Sequence, residues 1–270
     1  VFKICPSIFH LKRYVIGALT SNKGLWMQSH LKYGLLTRFI FPALLILAIP
    51  VEAASSALPK AINLEYAVTK DNQPFATVKE QYQIHDGNYT IKSVTKGIGI
   101  YALLGERVLT SNGKVTKSGL KPMHFELHQG HSAKRSLVTE FDWQKNKLFM
   151  RVKGDVREAD LVNGSQDLAS YAYQFMYQPA TLKNTLSVSL TTGKTLRRYD
   201  YIVQPATITV AGKPIKTLHL TPIKSEEDKD SIETKEFWLA KSKYYLPVKI
   251  LVIDEDGLQL EQTLTKLNAK

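Results

Sequence analysis

The chain has 270 residues, a formal net charge of +12 and one cysteine, and 44% of it is hydrophobic. One thiol excludes an internal disulfide framework, and the positive balance favours anionic partners such as lipid head groups. A single run, near the N-terminus, is apolar enough to raise the question of a membrane.

That run is Phe39 to Val51. It follows Arg38, contains Pro42 and Pro50, and ends in Val51-Glu52-Ala53. At roughly 13 residues it is short of the ~20 that a spanning helix needs. A basic residue, a short apolar region and a small residue before the cut are the marks of a secretory signal peptide, with cleavage expected after Ala53. Met27 starts a leader of ordinary length, so residues 27–53 read as the signal peptide. Residues 1–26 then read as an over-extended frame or dispensable leader. Cys5 lies in that part, so the mature chain, residues 54–270, is expected to lack cysteine.

Processing removes six Lys/Arg (Lys3, Lys12, Arg13, Lys23, Lys32, Arg38) and one acid (Glu52). What remains is 30 basic and 23 acidic residues, a net of +7. No Arg/Lys stripe with interleaved aromatics appears, and an exported address removes nucleic acid as a partner. The expected location is the periplasm, with no stable transmembrane anchor after processing.

Downstream, the period is two. Ile62, Leu64, Tyr66 and Val68 alternate with polar neighbours. So do Leu137, Thr139, Phe141 and Trp143, then Leu148, Met150 and Val152, and near the end Leu258, Leu260 and Leu264. Alternation of this kind means half-buried strands. Turn residues separate the runs at Asp71-Asn72-Gln73-Pro74, Asp86-Gly87-Asn88, Asn112-Gly113, Gln144 to Asn146, Thr192-Gly193-Lys194, Ala211-Gly212-Lys213 and Asp256-Gly257. Asn112-Gly113 reads as a hairpin turn, because both residues tolerate the positive φ of a type I′ turn. About a dozen sequential antiparallel strands predict a strongly curved sheet or an open β-barrel meander.

Two segments depart from that period. Gly99 to Gly105 is a short helical candidate with Ile100, Leu103 and Leu104 on one side. After Gly164-Ser165-Gln166-Asp167, the residues Leu168, Tyr171, Ala172, Phe175 and Met176 recur at helical spacing, and Asp167 can cap. One helix is expected over about 167–177, packed on the concave side of the sheet. A strand is the alternative, since Tyr171, Tyr173, Phe175 and Tyr177 also alternate. Residues 225–231 read as a charged surface loop. Without a low-complexity linker or repeat, residues 54–270 are expected to form one mainly β domain.

Signals for catalysis are missing. His124, His128 and His131 lie close in sequence. On a strand, however, His124 and His128 stand roughly 13 Å apart, too far to share a zinc ion. There is no G-x-S-x-G, S-x-x-K or H-E-x-x-H motif. Glu158/Asp160 and Asp254/Asp256 fit solvated loop ends, and Gly97-Ile98-Gly99 lacks the spacing of a phosphate loop. No catalytic residue, metal or cofactor is therefore expected. The candidates for function are apolar surfaces: Ile98, Ile100, Tyr101 and Leu104 in one cluster, Tyr171 and Phe175 in another, and Trp238.

Several stretches occur in a characteristic order. They are Gly87-Asn88-Tyr89-Thr90-Ile91-Lys92-Ser93, Arg107 to Ser111 with Gly119-Leu120-Lys121-Pro122, Phe141-Asp142-Trp143, Tyr173-Gln174, Glu236-Phe237-Trp238-Leu239-Ala240 and Tyr245-Leu246-Pro247-Val248-Lys249-Ile250. In this order they resemble the proteobacterial family called domain of unknown function 3108, over about 60–268. The resemblance implies an exported β-rich protein and brings no catalytic residues. The closing pattern is also similar to that of LolA/LolB/RseB-type periplasmic lipoprotein carriers, which implies a curved sheet around an apolar cavity. The leading expectation is a non-catalytic envelope protein that binds a lipid or lipoprotein acyl chain. The alternatives are a module that binds an envelope protein through a sheet edge, and a hydrolase with an unrecognised site.

Overall fold

The computed structural model describes residues 57–130, 136–223, 234–254 and 257–270. The expected leader, His131 and the 225–231 loop lie outside them. The chain divides into units Val1–Ala53 and Ala54–Lys270, and the second is the one described.

Its strands are β1 (Ala61–Lys70), β2 (Gln73–His85), β3 (Asn88–Gly97), β4 (Arg107–Thr116), β5 (Gly119–Gln129), β6 (Leu137–Asp142), β7 (Lys147–Val152) and β8 (Asp155–Asp160). A crossover follows, with the two-residue β9 (Gln166–Asp167) and the helix α1 (Tyr171–Tyr177). Then come β10 (Thr185–Thr191), β11 (Leu196–Val210), β12 (Lys213–Pro222), β13 (Thr234–Ala240), β14 (Leu246–Ile253) and β15 (Gln259–Ala269).

All fifteen join one open sheet in the order β8-β7-β6-β5-β4-β3-β2-β1-β15-β14-β13-β12-β11-β10-β9. Every pairing is antiparallel except β9 with β10. The chain thus runs from the centre to one edge as a meander, crosses to the other edge, and returns. The first and last strands pair in the middle, with Ile62 opposite Ala269. The expected mainly β, curved open sheet with one helix on its concave side is what is found, and the sheet does not close into a barrel.

The curvature follows from contacts that a flat sheet would forbid. β9 is the far edge strand, yet Gln166 Nε2 donates to the Leu120 carbonyl of β5 at 2.9 Å and Ser111 Oγ of β4 donates to Asp167 at 2.6 Å. The β10–β11 turn reaches the opposite arm too, where a Cβ on Gly193 would lie 3.2 Å from Leu137. Burial follows the strand parity: Ile62, Leu64, Tyr66 and Val68 are buried, as are Leu137, Thr139 and Phe141. The inner faces form two apolar clusters, one mainly on β1–β7 and one mainly on β10–β14.

Two expectations need correction. Asn112-Gly113 is no hairpin turn. Both residues lie inside β4 at a register shift, and the chain reverses at Lys117-Ser118. Gly113 is there for closeness, because a Cβ would meet the Lys121 carbonyl oxygen at 2.2 Å. The strand count also exceeds a dozen. β8 is exposed at nearly every position and β9 has two residues, so neither carries a readable alternation.

Candidate functional site

The crossover builds the interior of the curved sheet. Asp167 Oδ1 accepts the backbone N–H groups of Ala169 and Ser170 at 2.8 and 2.9 Å, and the Asp167 N–H donates to Ser170 Oγ. Asp167 therefore fixes the turn that leads into α1, which is why the helix starts at Tyr171 rather than at 167. Pro179 follows it, where the missing N–H stops helical pairing.

The short helix is buried on several sides. Tyr173 and Met176 join the cluster of the first arm, while Tyr171 and Phe175 join that of the second. Tyr173 stacks on Tyr82 with ring centroids 4.8 Å apart. Tyr171, Phe175 and Tyr201 surround Phe237 at 5.5 to 6.1 Å. This geometry explains why helical and alternating patterns overlap here: the segment has no wet face, so both parities are apolar.

Polar groups lock the helix to the β4–β5 turn. Gln174 Oε1 accepts the Leu120 N–H at 2.7 Å, and its Nε2 donates to the Ser118 carbonyl at 2.9 Å. Gly119, at φ +105°, makes room, since a Cβ would lie 2.3 Å from Gln174 Oε1. Deeper, Asp167, Ser111 and Tyr89 form a buried chain of hydrogen bonds. Burial pushes the Asp167 carboxyl up to about 6, against the pull of its hydrogen bonds from Ser111 and the backbone. Glu80, on the inner face of β2, accepts from Ser93 and Tyr173. Burial holds its carboxyl above the ordinary range as well.

The helix does not fill the space between the arms. One cavity of about 320 Å³ lies between β1–β4 and β14–β15, beside Leu168 to Ala172. Val78, Leu109, Ile250, Val252 and Leu260 give it apolar walls, and Glu80, Ser93, Thr95, Arg107, Lys235 and Gln262 are polar side chains on its lining. A second, of about 500 Å³, lies over Leu127, Leu137 and Val152. The two adjoin, sharing Arg107, Leu168 and Lys235.

The predicted site residues are split. Tyr171 lines the first cavity, and Phe175 is buried in the second arm's cluster. Ile98, Ile100, Tyr101 and Leu104 lie on the β3–β4 connection, a 3-10 turn over Gly99–Leu104. There Ile100, Leu103 and Leu104 are 75, 81 and 62% exposed. Tyr101 packs edge-on against Phe75, itself a cavity residue, so this connection is one side chain removed from the first cavity. Trp238 points from the other face of β13 than Phe237 and stacks on His219, with centroids 4.2 Å apart.

The histidines form an outer polar patch. Glu126 bridges His124 and His128 at 2.8 and 3.0 Å, and His124 also meets Glu140. Burial pulls His124 down, but its bonds to Glu126 and Glu140 outweigh that and raise it. Among the described residues no group of three or more metal-ligating side chains is present. No helix among them is long and apolar enough to cross a membrane.

Sequence reasoning missed Glu80, Arg107 and Lys235. The signal was available: each shares parity with buried residues, Glu80 with Val78 and Tyr82, Arg107 with Leu109, and Lys235 with Phe237. A charge on the apolar parity of a strand marks a place where the interior is not plain core.

The family model described as "Protein of unknown function (DUF3108)" matches residues 64–265. The chain belongs to this family. Several residues of the quoted motifs make defined contacts: Trp143 donates to the Pro122 carbonyl at 2.6 Å, Gln174 of Tyr173-Gln174 accepts the Leu120 N–H, and the Pro247 carbonyl accepts from Tyr66. No curated protein matches the sequence. Among solved structures, a β-barrel-like protein of domain of unknown function 1849 from Brucella abortus is similar at TM-score 0.51 and 12% identity, covering 79% of this chain and 100% of that one. That likeness is one of fold. A domain named for outer membrane lipoprotein sorting, from Vibrio parahaemolyticus, gives TM-score 0.24 and 12% identity over 80% of this chain and 87% of that one.

Proposed function

We propose that this DUF3108 protein is a non-catalytic periplasmic carrier that holds the hydrocarbon chain of a lipid or lipoprotein between the arms of its sheet. The observation that carries the reading is the pair of adjoining cavities, about 320 and 500 Å³, left beside a helix that could have filled them. Each falls within the ~300–1,000 Å³ range of small-molecule sites. Burial gains about 0.8 kcal/mol per CH₂, so fifteen methylenes supply roughly 12 kcal/mol before the cost of association. In this reading the exposed Ile100, Leu103 and Leu104 form the rim and offer an apolar approach to the cleft. Edge-strand docking has less support: β8 carries Asp155, Arg157, Glu158 and Asp160, and charged edges resist added strands.

Fluorescently tagged hexadecanol tests the reading. Saturable binding by the purified protein is expected, and Ala172→Trp, which places an indole into the first cavity, should weaken it at least tenfold while thermal melting stays cooperative. Absence of saturable binding, or an Ala172→Trp variant that binds like the parent, would overturn the carrier reading.

A further inference from the structure

The two cavities differ in charge. The first is lined by one carboxylate, Glu80, already engaged by two hydroxyls, and by Arg107 and Lys235, which it shares with the second. The second is lined by Arg107, Lys153, Lys194 and Lys235, and no carboxylate is among the described residues that line it.

These four cations come from separate places. Arg107 opens β4, Lys153 lies just past β7, Lys194 is in the β10–β11 turn, and Lys235 is on β13. The curvature of the sheet brings them to one concavity. Like charges gathered there raise a positive potential, which low-dielectric walls focus. Two of them occupy strand positions of buried parity, where an apolar residue would cost less. Lys235 Nζ sits 5.5 Å from the centroid of the Tyr171 ring, which borders the first cavity. Arg107 and Lys235 thus stand where the two cavities meet, with hydrocarbon walls on one side and the other cations beyond.

We infer that the cleft takes a long-chain amphiphile with an anionic head, its tail against Val78, Leu109 and Ile250 and its head among Arg107, Lys235, Lys153 and Lys194. The inference rests on the hydrocarbon reading of the cleft and adds the charge of the ligand. The apolar floor of the second cavity, formed by Leu127, Leu137 and Val152, speaks against a free inorganic anion, which has no use for it. A carboxylate and a phosphate ester share the required chemistry.

Displacement of tagged hexadecanol by hexadecanoate, hexadecyl phosphate and untagged hexadecanol at pH 8 separates the possibilities. Both anions are expected to compete at least tenfold better than the alcohol at low salt, with an advantage that shrinks as salt rises. The stronger of the two identifies the head group. The double variant Lys153→Glu/Lys194→Glu, at two exposed positions, should collapse the anions' advantage. Equal competition by all three compounds, or a double variant that keeps the full advantage, overturns the anionic head and leaves the hydrocarbon site standing. Failure of every compound, tagged hexadecanol included, removes both.

Discussion

Two apolar segments of similar make-up have opposite fates. Residues 98–104 and 171–177 are each short, aromatic or aliphatic, and set between strands. The first connects neighbouring strands β3 and β4 and leaves Ile100, Leu103 and Leu104 in solvent. The second lies in the connection between β9 and β10, the parallel pair at the far edge of the sheet, and there Tyr173 is fully buried. The difference lies in topology. A hairpin connection stays at the end of its strands, whereas the crossover that joins the parallel pair β9 and β10 has to run back over the sheet and is carried between the arms. Apolar content alone does not separate a plug from a rim; the length of the crossover does.

The largest effect expected from this contrast is at Tyr173. Its ring stacks on Tyr82 and its hydroxyl donates to Glu80 at 3.1 Å. Tyr173→Ala removes a buried aromatic and leaves a hole between the arms, at a cost of about 3–5 kcal/mol by analogy with other large-to-small core changes. Urea unfolding measures it. A loss below about 1 kcal/mol would mean that the helix is peripheral and that the arms hold each other without it.

Much of the fold was legible because the sheet is antiparallel with one wet face. The parity of β1, β6 and β7 gave their buried residues directly. Local turn chemistry was nearly as readable: Asp71-Asn72, Asp86-Gly87 and Ala211-Gly212 all adopt the positive φ values that their positions require. Asn112-Gly113 misled because the same residue types serve a close strand approach as well as a turn. The crossover was visible as a break in period, but its destination was not. Nothing local says that Gln166 will reach β5 or that Asp167 will accept from Ser111, contacts across 46 and 56 residues. The candidate site was legible only in part for the same reason. Tyr171 was found from its pattern, whereas Arg107, Lys153, Lys194 and Lys235 converge only once the sheet curls.

A middle-sized effect sharpens the contrast through pH. Asp167 ties the crossover to β4, and its burial raises the carboxyl to about 6 from an ordinary value near 4. A group raised on folding binds its proton more readily in the native state. Its contribution is fully present below the unfolded value and is lost as pH rises through the folded one. Between pH 7 and pH 4 the parent should therefore gain stability relative to Asp167→Asn, by up to about 3 kcal/mol. Comparing the two proteins cancels the titration of the other carboxylates. Parallel stability–pH curves would show that Asp167 is no more buried than a surface acid.

The smallest effect is predicted where the exposed segment lies. Leu103 is 81% exposed, and truncating it removes little apolar surface that folding has taken from water. Leu103→Ala should change unfolding free energy by less than about 0.5 kcal/mol, as for other surface substitutions. The backbone of the turn does not depend on it, being held by Ile98 N–H to the Phe75 carbonyl and by Tyr101 against Phe75. A cost above about 1.5 kcal/mol would place Leu103 in a covered site. The rim and the plug would then be two parts of one core, and the proposed carrier would lose its open edge.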